Sequence, residues 1–98
     1  MIQSWKSDDL KAVFEGRTPK GFPATLAKKT RRLLAQMSAA TDVEQLRFPP
    51  DNRLHQLAGD LAGKWSLNVN DQYRLVFSWG TDGPEEVWFG ELSLAPRL

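Results

Sequence analysis

The sequence predicts an α+β domain in which two N-terminal helices pack on one face of an antiparallel sheet. Apolar residues recur at helical spacing over about the first 40 positions, whereas over residues 64–91 they tend to occupy every second position. The 98 residues suffice for one domain around a single core. We therefore expect one domain over residues 1–93, followed by a short C-terminal tail over residues 94–98.

The N-terminal segment contains a short candidate strand and the signals for a first helix. Residues 2–5 are partly apolar and predict a strand. Ser7 is a residue type that caps helices, and Asp8 and Asp9 would follow in the first turn, at the positive end of the helix dipole. Gly16 marks the end of this helix.

Residues 24–40 predict a longer, amphipathic helix. Four apolar residues fall on one stripe at helical spacing, and we expect them to face the core: Leu26, Leu33, Leu34 and Met37. Residues 42–48 predict a further helical turn, after which Pro49 and Pro50 break the chain.

Basic residues are concentrated in the helical part of the chain, although the net charge is only +1. The acid-free stretch 17–32 contains Arg17, Lys20, Lys28, Lys29, Arg31 and Arg32. Acids near the C-terminus are Asp82, Glu85, Glu86 and Glu91. The second helix would carry Lys28, Arg31 and Arg32 opposite its apolar stripe, with Lys29 on the flank. This charged face has two interpretations, an RNA- or partner-binding surface and an ordinary solvated helix face.

Two alternating segments, residues 64–69 and 73–79, predict a β-hairpin. A two-residue loop would mix apolar and polar side chains on each face, whereas a three-residue loop over residues 70–72 keeps the apolar set together. The resulting pairs are Val69–Tyr73, Leu67–Leu75 and Trp65–Phe77. We expect a left-handed residue in this loop, because Asn and Asp tolerate that conformation. A second turn at Asp82 and Gly83 precedes the last strand, around residues 86–91.

The same register predicts a polar face on the other side of the sheet, with Asn68 opposite Arg74. The residues on this face are Lys64, Ser66, Asn68 and Arg74. If a neighbouring strand adds Arg53 and His55, a cationic patch forms that can hold a phosphodiester. Arginine makes paired hydrogen bonds to phosphate, and lysine acts as a point charge. The alternative is an exposed sheet face covered with long polar side chains.

Composition excludes several kinds of site. The chain has no cysteine and only one histidine, His55, which excludes disulfides, thiolate metal sites and multi-histidine metal centres. His55 is either a group that exchanges a proton near neutral pH or an ordinary half-buried histidine. Trp88 falls out of phase with Val87 and Phe89, which makes it a candidate for stacking on RNA bases.

Sequence templates for other enzymes and for export are missing as well. The chain contains neither a phosphate-binding glycine loop nor a Gly-x-Ser-x-Gly elbow. The first residues form no long apolar run, so we expect neither a secretion signal nor a membrane span, and a cytoplasmic location.

Three motifs occur in order through the middle of the chain: RLHQLAGD at 53–60, GKWS at 63–66 and YRLVF at 73–77. Together with MIQSWK at 1–6 and AKKTRRLL at 27–34, they resemble the HigB-type toxins of the RelE superfamily. Each motif is short, but their order and spacing are specific. The resemblance covers the chain to about residue 93.

The resemblance implies a RelE-like fold and an endonuclease that cuts mRNA in the ribosomal A site, without a metal or an organic cofactor. In this reaction the ribose 2′-hydroxyl attacks its own phosphate and the 5′ oxygen leaves. The site therefore needs a proton acceptor, a proton donor and cations. The implied partner is a helix-turn-helix antitoxin of the HigA type, through which the complex would reach operator DNA.

The resemblance assigns roles to His55, Arg74, Gln72 and Glu91, and the polar sheet face and the charged helix face supply the other candidates. The catalytic candidates are His55, Arg74 and Glu91. The RNA- and phosphate-binding candidates are Arg53, Lys64, Asn68, Gln72, Lys28, Lys29, Arg31 and Arg32.

Two departures from the family pattern stand out. Ala58 replaces a frequent lysine, and Glu91, Leu92 and Ser93 stand where the family has an Asp-Tyr-His-like triplet. These departures leave three alternatives. The chain cleaves RNA weakly, it binds RNA without cleaving it, or its tail has been altered.

Overall fold

A computed structural model of the chain describes residues 1–91. Residues 92–98, which include Leu92, Ser93 and the predicted tail, lie outside the described residues. In chain order the elements are α1 (Asp8–Phe14), α2 (Ala24–Ala39), β1 (His55–Gln56), β2 (Lys64–Asn68), β3 (Tyr73–Gly80) and β4 (Gly83–Glu91). Short 3₁₀ helices span Val43–Arg47, Pro50–Asn52 and Gly59–Leu61. The predicted α+β arrangement is confirmed. Within residues 1–91, neither helix is long and apolar enough to cross a bilayer.

Helix α2 buries Leu33, Leu34 and Met37 as their spacing predicts, whereas Leu26 is half-buried and packs against the core. Leu10 and Val13 of α1 are fully buried, and the buried side of α2 consists of Ala27, Thr30, Leu33, Leu34 and Met37. Ser7 stands at the N-cap position of α1, but its side chain makes no capping hydrogen bond. The predicted cap is therefore wrong. The Ser7 Oγ instead accepts a hydrogen bond of 3.3 Å from the N–H of Phe89, which ties the start of α1 to β4.

The four strands form one antiparallel sheet in the order β1–β2–β3–β4. The predicted hairpin register is confirmed: Trp65 pairs with Phe77, Leu67 with Leu75 and Asn68 with Arg74. The side chains of Leu67, Leu75 and Phe77 are fully buried in the core against the helices.

The loop between β2 and β3 closes in a different way from the one predicted. The Val69 N–H donates to the Tyr73 carbonyl oxygen at 3.0 Å, which leaves residues 70–72 as the three-residue loop. The expected left-handed residue is absent from this loop, since among the described non-glycine residues only Arg53 and Glu86 have positive φ. The Asn70 Oδ1 accepts hydrogen bonds from the N–H groups of Gln72 and Tyr73, and this side-chain turn replaces it.

The N-terminal segment does not form the predicted strand. Trp5 makes a single parallel bridge to Val87, and the Lys6 N–H donates to the Val87 carbonyl oxygen at 2.8 Å. A regular ladder is interrupted because Pro84 has no N–H and Glu86 has left-handed backbone with φ of 52°. The segment therefore lies along β4 as an irregular edge.

Candidate active site

His55 and Arg74 lie on the same face of the sheet, on either side of β2. His55 pairs with Ser66, and Arg74 pairs with Asn68. Directly opposite residues share a face, and so do residues two apart on one strand, which places all four side chains on the face away from the helices. With strands about 4.8 Å apart and a rise of about 3.3 Å per residue, the Cα atoms of His55 and Arg74 are about 12 Å apart. A gap of this width leaves room for a phosphodiester between the two side chains.

The central part of this face is buried, which corrects the picture of an exposed polar surface. Lys64 and Asn68 are each 8% exposed, and Ser66 is completely buried. The Oγ of Ser66 and the Oδ1 of Asn68 have no hydrogen-bond partner among the described residues. Each of these atoms loses its hydrogen bonds to water when the chain folds, so an ordered water or a ligand is needed to account for it.

Arg74 is fixed by the backbone of its own hairpin. Its Nη1 donates to the carbonyl oxygen of Asn70 and, at 3.1 Å, to that of Tyr73. Its Nε and Nη2 atoms make no hydrogen bond within residues 1–91. One edge of the guanidinium is thus held in place, while the other donors remain available for a phosphate oxygen.

His55 is exposed at the start of β1 and follows a strained turn. Its Nδ1 lies 3.3 Å from the carbonyl oxygen of Arg53. If Nδ1 carries the proton and donates to this oxygen, Nε2 of the neutral ring is the proton acceptor. Arg53 has a left-handed backbone conformation, with φ of 48° and ψ of 50°. Its exposed side chain extends from the turn that precedes His55.

Asn52 anchors this turn to α2, a contact that the sequence did not indicate. Asn52 is 1% exposed, and its Nδ2 donates to the Oε1 of Gln36 at 3.0 Å and to the carbonyl oxygens of Leu46 and Phe48, each at 3.1 Å. The Gln36 Nε2 donates in turn to the Phe48 carbonyl oxygen at 2.6 Å. The position of His55 therefore depends on a polar anchor that links three segments of the chain.

Lys64 is on the predicted face but is already engaged. Its Nζ donates to the Ser78 Oγ and to the Glu86 Oε2, both at 2.9 Å. A lysine with these two partners has less capacity to bind a phosphate than the point charge predicted from the sequence. Its role in RNA binding stays a prediction.

Glu91 and Gln72 are not brought together with His55 and Arg74. Glu91 pairs with Tyr73 and alternates with Gly90, the partner of Arg74, so it belongs to the face that carries Tyr73. Its Oε1 accepts a hydrogen bond of 2.6 Å from the Nε2 of Gln72, an exposed loop residue. The catalytic role of Glu91 and the RNA contact of Gln72 remain predictions that this arrangement does not favour.

The basic residues of α2 divide into free and engaged side chains. Lys28 and Arg32 are exposed and Lys29 is half-buried. Arg31 is instead bonded to the end of the first helix: its Nε donates to the Val13 carbonyl oxygen at 2.8 Å. A guanidinium at the negative end of α1 stabilises that helix, which gives Arg31 a structural role beside the predicted one.

Trp88 lies on the same face as the two candidate catalytic residues, out of phase with its neighbours as predicted. It pairs with Val76 and is half-buried. A Cβ atom on Gly90 would lie only 2.5 Å from the Cζ2 and Cη2 atoms of the Trp88 ring. The indole therefore extends along β4 over Gly90, toward the strand position beside Arg74.

No metal site is visible in the described part of the chain. Within residues 1–91, no three histidine or carboxylate side chains converge on one point. A cleft of about 230 Å³ does occur on the helix side of the sheet, where the rings of Tyr73 and Phe89 stack with centroids 5.0 Å apart. This cleft is separated from His55 by the sheet.

The chain is similar to known toxins and to a known family. Residues 3–88 match the family described as RelE-like toxin of type II toxin-antitoxin system HigB. Toxin HigB-1 of Vibrio cholerae serotype O1 is 42% identical over 58 residues, which are 59% of this chain and 61% of that protein. Endoribonuclease HigB of Proteus vulgaris is 33% identical over 79 residues, which are 81% of this chain and 85% of that protein.

The match thus spans about three fifths of the Vibrio cholerae relative and most of the Proteus vulgaris relative. The family match extends over more than half of the chain and includes both strands that carry His55 and Arg74. The chain belongs to the HigB family of RelE-like toxins of type II toxin–antitoxin systems.

Proposed function

We propose that the protein is a ribosome-dependent mRNA endonuclease that inhibits translation. The observation that carries this proposal is the placement of His55 and Arg74 on one sheet face, across β2 from each other. The name of the Proteus vulgaris relative, Endoribonuclease HigB, supports RNA as the substrate.

The proposed reaction is metal-independent transfer of a phosphodiester. The 2′-hydroxyl oxygen of the ribose forms a bond to the adjacent phosphorus, and the bond from phosphorus to the 5′ oxygen breaks. His55 exchanges a proton with one of these two oxygens, and Arg74 stabilises the charge that develops on the phosphate. Arg53 and Asn68 would bind the RNA near the reacting phosphate, while Lys28, Lys29 and Arg32 would bind it at a more distant cationic surface.

The proposed partner is an antitoxin of the HigA type with a helix-turn-helix domain. The family description as a type II toxin–antitoxin system supports an antitoxin partner. Contact with operator DNA would occur only through that complex, and the site of action would be the cytoplasm.

A second candidate function is binding to ribosome, RNA or antitoxin without cleavage. The observation that favours it is the position of Glu91, which belongs to the other sheet face from His55 and Arg74. On this reading, one proton-transfer group is left at the site, whereas the reaction needs an acceptor and a donor.

Primer extension on a reporter mRNA in a translation reaction distinguishes the two functions. The purified chain should produce cuts at discrete codon positions, and these should disappear when translation initiation is blocked. Uncut mRNA together with stalled ribosomes would favour the second candidate. Uncut mRNA with unaffected translation would contradict both.

A further inference from the structure

We infer that Asn68 binds the 2′-hydroxyl of the ribose whose phosphate Arg74 holds, and that this contact selects RNA over DNA. This inference rests on the proposed function and specifies how the same site recognises its substrate.

The amide of Asn68 has an unused hydrogen-bonding capacity that the free protein does not explain. Asn68 is 8% exposed, and its Oδ1 is buried without a hydrogen-bond partner among the described residues. A buried acceptor of this kind lowers the stability of the folded chain, because its hydrogen bonds to water are lost and not replaced. A few such groups occur in native proteins, and a bound ligand is one of the explanations for them, beside an ordered water.

The position of Asn68 identifies the part of the ligand that it meets. It is the direct cross-strand partner of Arg74, and side chains in such pairs have their Cβ atoms about 5 Å apart. A phosphate held by the free donors of Arg74 is therefore on the same face as the Asn68 amide, and a ligand group reaches the buried Oδ1 only when the side chains that cover it move. The attacking 2′ oxygen must itself lie within about 3.5 Å of the phosphorus, so it falls in the same region.

The chemistry of the RNA backbone then leaves one candidate donor. Ionised phosphate oxygens and sugar ring oxygens only accept hydrogen bonds, and they cannot satisfy the Asn68 Oδ1. The 2′-hydroxyl both donates and accepts, and it is the group that distinguishes an RNA backbone from a DNA backbone. The backbone of DNA would leave the Asn68 oxygen unpaired in the complex.

The hydroxyl has a single hydrogen, so its contact with the Asn68 Oδ1 belongs to the bound ground state and must break before that hydrogen is transferred to a base. An amide oxygen is not a base near neutral pH, so proton transfer stays with His55. Asn68 is thus a specificity-determining residue in this scheme.

The experiment is a double-mutant cycle between the protein and the mRNA. Ribosomes are programmed with three mRNAs that carry 2′-hydroxyl, 2′-deoxy or 2′-fluoro sugars throughout the A-site codon. Binding of the full chain is measured by co-sedimentation in a His55→Ala background, which prevents loss of the all-RNA substrate. Asn68→Leu removes the amide while keeping the side chain's size.

Asn68→Leu should weaken binding to the 2′-hydroxyl mRNA about three- to tenfold, the effect of one hydrogen bond. It should leave binding to the 2′-deoxy and 2′-fluoro mRNAs unchanged, because neither sugar has a donor at that position. Thr30→Val is the matched control, since the Thr30 Oγ1 is another buried atom without a partner, in α2 and away from this face. It should not alter binding to any of the three mRNAs.

Equal losses on all three mRNAs, or no loss on any, would overturn the inference and leave the proposed function intact. If Asn68→Leu lowers the melting temperature and weakens binding to all three mRNAs equally, Asn68 has only a structural role. If the His55→Ala chain binds no programmed ribosomes and the parent chain leaves mRNA uncut, both the inference and the proposed function fail.

Discussion

Lys64 and Glu86 form an ion pair on the face that carries the candidate site, with the Nζ and Oε2 atoms 2.9 Å apart. Glu86 reaches this position because β4 has an extra residue there. Between the pairs Val76–Trp88 and Ser78–Glu85, β3 contributes one residue and β4 contributes two. The hydrogen bond from Lys64, and then its charge, hold the pKa of the Glu86 carboxyl below its usual value of 4.5.

The lowered pKa of Glu86 predicts a stability contribution that depends on pH. The ionised carboxylate stabilises the folded chain, so the contribution is complete above the ordinary pKa and disappears as the pH falls through the lowered one. Because the Glu86 side chain is half exposed, we expect Glu86→Gln to cost less than about 1 kcal/mol at neutral pH.

Denaturant unfolding of the parent and of Glu86→Gln, from about pH 7 to about pH 3, measures this contribution. The difference in free energy of unfolding should narrow to zero at the acid end. Glu85→Gln is the control, because no ion pair holds that carboxylate among the described residues. A difference that persists in acid would show that Glu86 stabilises the chain through packing.

Substitutions of His55 and Arg74 should lower cleavage by different amounts. His55→Ala removes the proton-transfer group and should reduce the cleavage rate on the order of a hundredfold or more. Arg74→Lys keeps the charge but loses the paired donors, so it should retain part of the activity, whereas Arg74→Ala should retain least.

Single-turnover cleavage of mRNA in a translating extract is the measurement. The control is Gln56→Ala, which lies next to His55 in β1 but pairs with Trp65 and belongs to the other face. Full toxicity of folded His55→Ala and Arg74→Ala chains would remove both residues from the reaction.

The basic residues of α2 should fall into two classes, those that bind the ribosome and one that stabilises the fold. Lys28→Glu with Arg32→Glu should weaken ribosome binding and its dependence on salt, because exposed cations release counterions from phosphates. Arg31→Ala should instead lower the free energy of unfolding by about 1–2 kcal/mol, because its charge-assisted hydrogen bond to the Val13 carbonyl oxygen is lost.

Co-sedimentation over a salt series and urea unfolding report the two effects separately. Unchanged ribosome binding by the double variant would leave the solvated helix face as the better interpretation. A fully stable Arg31→Ala chain with weakened ribosome binding would reverse the assignment of Arg31.

The anchor of the His55 turn predicts a coupled loss of stability and activity. Asn52→Ala removes the donor to the Gln36 Oε1 and to the Leu46 carbonyl oxygen, while the Phe48 carbonyl oxygen keeps the Gln36 Nε2, and we expect it to cost about 2 kcal/mol. The exposed neighbour Asp51 provides the control, since Asp51→Ala leaves the anchor in place. If Asn52→Ala lowers the melting temperature but cleavage per folded molecule is unchanged, the anchor does not position His55.

The sequence predicts the sheet register because alternation leaves only one loop length that keeps Leu67, Leu75 and Phe77 on one face. It therefore also predicts that Asn68 faces Arg74. It does not predict that this polar face is buried, because burial depends on which long-range segments cover it. The sequence also does not predict the contacts of Asn52, because its partner Gln36 is distant in the sequence. Nor does it predict the ion pair of Glu86 with Lys64, which depends on the bulge in β4.

Glu91 and the two residues that follow it in the sequence are expected to limit activity. Glu91 belongs to the face opposite His55, and the positions after it, Leu92 and Ser93, replace a tyrosine and a histidine of the family pattern. Neither leucine nor serine donates a proton effectively near neutral pH, whereas tyrosine donates a hydrogen bond and histidine exchanges a proton.

A chain that ends at residue 93 and carries Leu92→Tyr with Ser93→His should therefore cleave mRNA faster, on the order of a hundredfold if a missing acid–base group is restored. The matched control ends at the same residue with Leu92 and Ser93 unchanged, which separates the substitutions from the removal of residues 94–98. Both chains are compared with the parent in a translating extract by primer extension. Strong cleavage by the parent, unaltered by the double change, would mean that the terminal groups are not needed here. The reaction would then depend on His55, Arg74 and the residues between them.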